Sequence, residues 1–458
     1  TVHANWSWYL YQGHGYQHHP LSHGPFLYHA TALSYYLFGD NDFTARLAVA
    51  LLGVALVVMP YTLRRWLGRS GALVTSLLLL ISPSLLYYSR YIRNDVPIVV
   101  WALLAVLAVF RYLEGPSEHR TRWLVVLAAA LSLMFATKEV SFFYIAILGL
   151  FLVLLFFARL GLPRRGTLAL EQWLRIWLAV LGLLAVILVA SGAFLLELSP
   201  AELFPIRYSD CGQAPVPGPA PGEMSCGEEG CRLMQGRCQR PMPIITSSDG
   251  AGFFENGVRS AIRLSGLGIG LEVVLIGMIA VAAGAGAYAL LHRLMPFQAG
   301  QRPALDLILV IGTFTLPFLA HLAIGGLSRG ASRAFFGIDA AFDSLDYSAA
   351  GLLRSAGFLF ILLAVSTAVG LWWDWRRWLL AAGVFYGIFV VLFSTVFTNG
   401  NGLASGMVGS LGYWLEQQAV ERGSQPLYYY ALLVPLYEFL PLIGFAAATL
   451  FRPVARDE

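Results

Sequence analysis

Ser89-Arg90-Tyr91-Ile92-Arg93-Asn94-Asp95 decides how this chain reads, because two arginines and a carboxylate stand between two apolar runs, Ala72 to Tyr88 and Val96 to Phe110. Each run is about long enough to cross a bilayer core, so the charged knot lies at a membrane surface or in a cavity open to it. If the helix persists through the knot, Arg90 and Arg93 share a face. That face suits phosphate oxygens, with Asp95 beside the anion as acid, base or metal ligand. The plainer reading makes the arginines membrane flanks and Asp95 the cap of the next helix.

Composition sets the class. With 58% hydrophobic and 12% charged residues, the chain carries about half the charge of a soluble domain. A net charge of +4, without a block of like charges, excludes a nucleic-acid partner. Apolar runs near 44–64, 71–89, 95–113, 123–137, 139–158, 173–197, 264–291, 305–325, 352–373, 378–397 and 427–450 predict about eleven transmembrane helices in an all-α polytopic protein. Arginines concentrate at 64–69, 111–122, 159–165, 293–302, 376–377 and 452–456. The positive-inside rule puts those connections in the cytoplasm, and the knot, Lys138-Glu139 and the long loops outside. Residues 1–198 then form an amino-terminal membrane half, 199–263 an external loop and 264–458 a second membrane half.

The segment Thr1 to Asn41 reads as external, so at least one transmembrane helix is expected before Thr1. It opens with an aromatic stretch, His3 to Tyr11, that reads as an interfacial helix. His14, His18, His19, His23 and His29 follow. Their spacing matches no standard zinc pattern, and hydrogen bonding or substrate lining suits them better than metal. All four cysteines, Cys211, Cys226, Cys231 and Cys238, fall in the external loop, whose Pro/Gly run Ala214 to Gly222 reads as irregular. Outside the membrane this usage points to two disulfides, with the pairing open and zinc the competing reading. Farther on, 328–348 reads as a solvated surface helix. The stretch Asn399 to Tyr430 carries Trp414, Gln417, Arg422 and Tyr428 to Tyr430, either lining a lipid and sugar entrance or forming an aromatic belt. Glu438 lies inside the last apolar run, where an ionisable group faces a partner or a cavity.

The stretches His3-Ala4, His23-Gly24-Pro25, Phe38-Gly39-Asp40, Thr44 to Leu47 and the Ser89–Asp95 knot, followed by Phe397 to Asn399, Gly412 to Trp414, Arg422-Gly423, Tyr428 to Tyr430 and Tyr437-Glu438, together resemble membrane glycosyltransferases that use polyprenyl-phosphate sugars. These C-type enzymes include protein O-mannosyltransferases and aminoarabinose transferases, and the similarity is greatest to a prokaryotic subfamily labelled flippase-activity-associated. The resemblance implies a multi-pass protein of a prokaryotic plasma membrane with its active site outward. Its partners would be the bilayer, a polyprenyl-phosphate sugar, a protein or glycan acceptor and, as a further partner, another membrane protein. The family's first-loop acid falls before Thr1, and its second external acid matches Asp95, with Arg93 near the donor phosphate.

Such chemistry needs cations for the departing phosphate and a carboxylate for the acceptor proton. Asp95 is the catalytic candidate within this chain: the family's acid before Thr1 is the better candidate for the base, which leaves Asp95 to orient the acceptor or a divalent cation, and no cofactor is implied beyond that cation. His3, His23, Arg90, Arg93, Lys138, Glu139, Asn399, Trp414, Arg422 and Tyr429 are the substrate-binding candidates. Lys138 and Glu139 could instead pair with each other at a helix end. A flippase or transporter, and a non-catalytic scaffold subunit of the same fold, are the competing functions. A transporter would carry internal repeats, and no clear one is found.

Overall fold

The computed structural model describes residues 7, 10, 23–160, 270–294, 302–321, 349–416 and 443, together with short strands between residues 208 and 241. Helix α1, Phe26–Phe38, follows Pro25 and leaves Leu33, Tyr36, Leu37 and Phe38 exposed. Helix α2, Asp42–Val58, starts at a reciprocal cap: Asn41 Oδ1 accepts from the amides of Phe43 and Thr44, and Thr44 Oγ1 accepts from the Asn41 amide. These bonds satisfy amides that have no partner within the helix.

A 3-10 turn at Met59–Leu63 links α2 to α3, Arg64–Ile81, which kinks at Gly68. The expected span at 71–89 is divided. Ser82 takes an extended conformation, its hydroxyl accepts from the Leu85 amide, and Pro83 opens a separate six-residue helix α4, Pro83–Tyr88. Proline keeps the residue before it out of the helical region, which explains the break.

Helices α5, Asp95–Glu114, α6, Arg120–Phe135, and α7, Ser141–Leu160, fall where the apolar runs place them. Farther along the chain come α8, Gly270–Leu294, and α9, Pro303–Thr315, continued by a 3-10 turn at Leu316–Leu319. Helix α10, Ala349–Phe393, contains a break at Asp374, where φ is −164° and ψ is 100°. A Cβ on Gly370 would lie 2.1 Å from the Trp378 ring. Eight residues rise about 12 Å along a straight helix, so the chain doubles back at Asp374 and the two spans expected at 352–373 and 378–397 form a hairpin. Asp374 caps the returning arm: its Oδ1 accepts from the Arg377 amide and its Oδ2 pairs with Arg377 Nε at 3.2 Å. Short helices α11, Asn401–Ala404, and α12, Ser410–Glu416, flank a π turn at Ser405–Gly409.

Among the described residues, Asp42–Ile81, Asp95–Glu114 and Leu359–Phe393 are long and apolar enough to cross a membrane, and Ser141–Phe156 and Pro303–Leu319 are shorter apolar helices. The protein is a helical membrane protein. The expected spans 173–197 and 427–450, the surface helix at 328–348 and Glu438 lie outside the described residues. The segment 199–263, expected as an external loop, adds strands to the all-α expectation: β1, Tyr208–Asp210, and β4, Arg232–Met234, both pair antiparallel with β5, Arg237–Pro241. The Pro/Gly run expected to be irregular contains β2, Val216–Pro217, paired with β3, Met224–Ser225. A short hairpin tolerates Pro and Gly at its edges, which is why composition alone misread it.

The core lies where α5, α6, α9 and the returning arm of α10 meet. Phe135 stacks on Phe318 with centroids 4.1 Å apart, Phe314 stacks on Phe385 at 4.8 Å, and the Ser132 hydroxyl donates to the Phe385 carbonyl. At one end of this bundle Trp66 donates to Glu114 at 2.7 Å and Arg111 donates to the Thr62 carbonyl at 3.0 Å. There too Asp306, fully buried, accepts from Tyr112 at 3.0 Å and from Trp373 at 2.7 Å. The arginine-bearing turns 64–69, 111–122 and 376–377 thus share one end, and Asp95 lies at the other because α5 runs from it to Glu114.

Candidate active site

The site begins with a backbone clasp. Helix α6 ends at Ala136, and the turn Thr137–Val140 leads into α7. Across this turn lies His23-Gly24-Pro25: the Gly24 amide donates to the Thr137 carbonyl at 3.3 Å and the Phe26 amide to the Ala136 carbonyl at 2.8 Å. A Cβ on Gly24 would lie 2.1 Å from the Ala136 oxygen, so only glycine permits the approach. Pro25 then starts α1, where its fixed φ costs nothing.

The clasp sets the side chains of the turn. Lys138 Nζ donates to Asp95 Oδ1 at 2.7 Å, and Arg93 Nε lies 3.0 Å from Asp95 Oδ2 as an ion pair whose alignment is not that of a hydrogen bond. Glu139, almost fully buried, meets His23 Nδ1 at 2.7 Å. Lys138 and Glu139 therefore do not pair with each other, contrary to the plainer reading. Each reaches to a different element, which a local ion pair would not do. One carboxylate between two cations, at the positive end of α5, leaves a site with surplus positive charge. With a cation at each oxygen, Asp95 is poorly placed to hold a divalent metal, and among the described residues no group of three His, Cys, Asp or Glu could do so.

Arg90 and Arg93 do not share a helical face. Residues 89–94 form turns and bends, with the Arg93 amide bonded to the Tyr91 carbonyl. Arg93 lies over the Tyr88 ring at 5.5 Å and points to Asp95, whereas Arg90 is exposed and makes none of the ion pairs among the described residues. Helix α4 ends at Tyr88, before either arginine, so the helical spacing that would align them is absent.

Trp414 reaches this end of the bundle, its ring edge-on to Phe143 of α7 at 5.1 Å. Asn399 is buried and follows three consecutive residues with left-handed backbone, Thr395, Val396 and Phe397, at φ of 50°, 55° and 67°. Such runs of non-glycine residues are strained and collect at functional sites. The Ser394 hydroxyl holds the turn by accepting from the Phe397 amide at 2.8 Å. In α1, His29 Nδ1 donates to the Pro25 carbonyl, and burial holds this imidazole below its ordinary pKa despite that bond. His3, Arg422, Tyr429 and three of the four cysteines lie outside the described residues, and Cys238 lies in β5. The disulfide expectation rests on residues that are not described.

Sequence reasoning missed the His23–Glu139 pair and the buried Asp306. A lone acid in the apolar run 305–325 was the available signal for Asp306; the pair left none, because its members are 116 positions apart.

Residues 19–191 match the model of the dolichyl-phosphate-mannose-protein mannosyltransferase family. That part of the chain is thus similar to a family of membrane glycosyltransferases. The match includes the clasp, Arg93, Asp95, Lys138 and Glu139, so this charged cluster lies within the mannosyltransferase-like part of the chain, whereas Asn399 and Trp414 lie beyond it. A 116-residue segment is 29% identical to an uncharacterized protein of Aquifex aeolicus (strain VF5), covering 25% of this chain and 23% of that protein. The chain thus spans about a quarter of the length of the curated relative it matches. No solved structure matches.

Proposed function

We propose that the protein is an integral membrane glycosyltransferase that moves a sugar from a polyprenyl-phosphate donor to an acceptor at the outer face of a prokaryotic plasma membrane. The observation that carries this reading is an apolar groove of about 570 Å³ that starts at Val99, one turn beyond Asp95, and follows α5 to Phe110. Leu56 of α2, Leu79 of α3 and Tyr144 and Phe151 of α7 form its other walls. Its length along α5 is about 16 Å at the helical rise. A polyprenyl chain in the groove would anchor the donor and bring its phosphate to the cations at the head of α5.

In transfer, the bond between the anomeric carbon and the phosphate oxygen breaks and a bond to the acceptor oxygen or nitrogen forms. Lys138 and Arg93 would stabilise the phosphate monoester that departs, which carries more negative charge than the diester. The acceptor proton goes to a carboxylate. Asp95, once its two cations turn toward phosphate, is the described carboxylate nearest to them.

The test is sugar transfer by the purified protein in proteoliposomes, beside donor binding. Asp95→Asn should lower transfer by at least about a hundredfold, within the range of general-base effects, while leaving donor binding within a few fold. Normal transfer by a folded Asp95→Asn variant would remove Asp95 from the mechanism. Donor binding without transfer by the unaltered chain would favour the scaffold.

A further inference from the structure

Resting on this donor reading, we propose that Asn94 reads the sugar of the lipid-linked donor, with Ser141 assisting. Both members of the Asp95–Lys138 ion pair stand beside a buried polar side chain whose hydrogen-bonding capacity is unused. Asn94, directly before Asp95, is 2% exposed, and neither Oδ1 nor Nδ2 has a hydrogen-bond partner among the described residues. Ser141 is 0% exposed, its amide donates to the Lys138 carbonyl, and its Oγ has no partner among the described residues. Buried polar atoms are bonded in the great majority of cases, so two unpaired side chains on the two elements joined by one ion pair call for an explanation.

Helix capping does not supply it. Asn94 occupies the N-cap position of α5, where asparagine ordinarily accepts from the amides of the first turn, yet its φ of −77° and ψ of −3° are helical and the side chain makes no capping bond.

The chemistry of the unused groups selects the ligand. A carboxamide donates and accepts, and so does a serine hydroxyl. A phosphate dianion only accepts, and Arg93 and Lys138 already answer it. Hexose hydroxyls, which also donate and accept, match Asn94 and Ser141. A site that hydrogen-bonds a hydroxyl rejects analogues lacking it far more strongly than an apolar site can. Asn94 is thus a specificity residue for the sugar, placed beside the carboxylate that faces the reacting centre.

The experiment uses the full chain in detergent, with Asn94→Leu, which keeps the volume, and Ser141→Ala. Thermal unfolding is measured beside titration with bare polyprenyl phosphate and with its mannose, glucose and galactose conjugates. The unaltered protein should bind one conjugate at least tenfold more tightly than the bare phosphate. Asn94→Leu should melt at the same or a higher temperature, keep its affinity for bare phosphate and lose that preference; Ser141→Ala should lose a smaller part of it. An intact preference in Asn94→Leu overturns the proposal, as does a lowered melting temperature with loss of every ligand, which would make Asn94 structural. Binding of bare phosphate with no preference for any conjugate overturns this inference and leaves the donor reading standing. Binding of none of the four overturns the donor reading and this inference with it.

Discussion

At the residue scale the site depends on one missing side chain. Gly24 lets the segment before α1 lie against the Ala136 carbonyl, and that contact carries Glu139 to His23 and fixes the turn that presents Lys138. Gly24→Ala must therefore displace the segment or break the bond between the Phe26 amide and Ala136. Overpacking of this kind costs roughly 1–3 kcal/mol. The expected outcome is a lower melting temperature with weakened donor binding, because Lys138 loses its support. Gly39→Ala is the control: Gly39 has φ of 77° but nothing within 4 Å of a Cβ. It should cost about 1–3 kcal/mol of backbone strain, because φ of 77° with ψ of 162° is open essentially to glycine alone, and leave donor binding unchanged. Equal effects of the two on binding would show that the clasp does not position the site.

At the scale of elements the opposite end of the bundle is tied by Asp306. One buried carboxylate joins α9 to α5 through Tyr112 and to the first arm of α10 through Trp373. Its place in the first turn of α9 also sets the negative charge against the positive end of that helix. Asp306→Ala leaves two buried donors unpaired, a loss of about 3–5 kcal/mol. Thermal unfolding should show it, while donor binding measured well below the transition stays close to that of the unaltered protein. Adding Tyr112→Phe removes one of the stranded donors, so the double variant should be less destabilised than the two single changes summed. Strict additivity would mean that the two side chains do not act through one bond. The hairpin at Asp374 complements this tie, since Trp378 against Gly370 brings the returning arm beside the Trp373 that grips Asp306.

For the whole molecule, the decisive relation is between the charged head of α5 and the apolar groove below it. Val106 lines the groove about midway along α5 and is partly exposed to it. Val106→Trp should block the groove beyond its first turns. Affinity for a long polyprenyl phosphate should then fall by at least about tenfold, equivalent to 1.4 kcal/mol, with a short-chain analogue that ends above Val106 binding as before. Parallel losses for long and short chains would place the lipid elsewhere.

Most of the described helix positions and the gathering of the arginine-bearing turns 64–69, 111–122 and 376–377 at one end were legible in the sequence, because each depends on local composition and period. Hydrophobic runs must be helical in lipid, since no other single-segment arrangement satisfies the backbone there. Lys138 and Glu139 could also be picked out as charges at a junction of apolar runs. Their partners could not. Whether Lys138 meets Glu139 or Asp95, whether Arg90 joins Arg93, and whether Asn94 caps its helix are decided by contacts between elements up to 116 positions apart. The same is true of Asp306, whose two hydrogen-bond donors come from two other helices, α5 and α10. Only the tertiary structure settles these, because an ion pair or a buried hydrogen bond depends on distances of about 3 Å, and such distances follow from how helices pack rather than from the order of residues along any one of them.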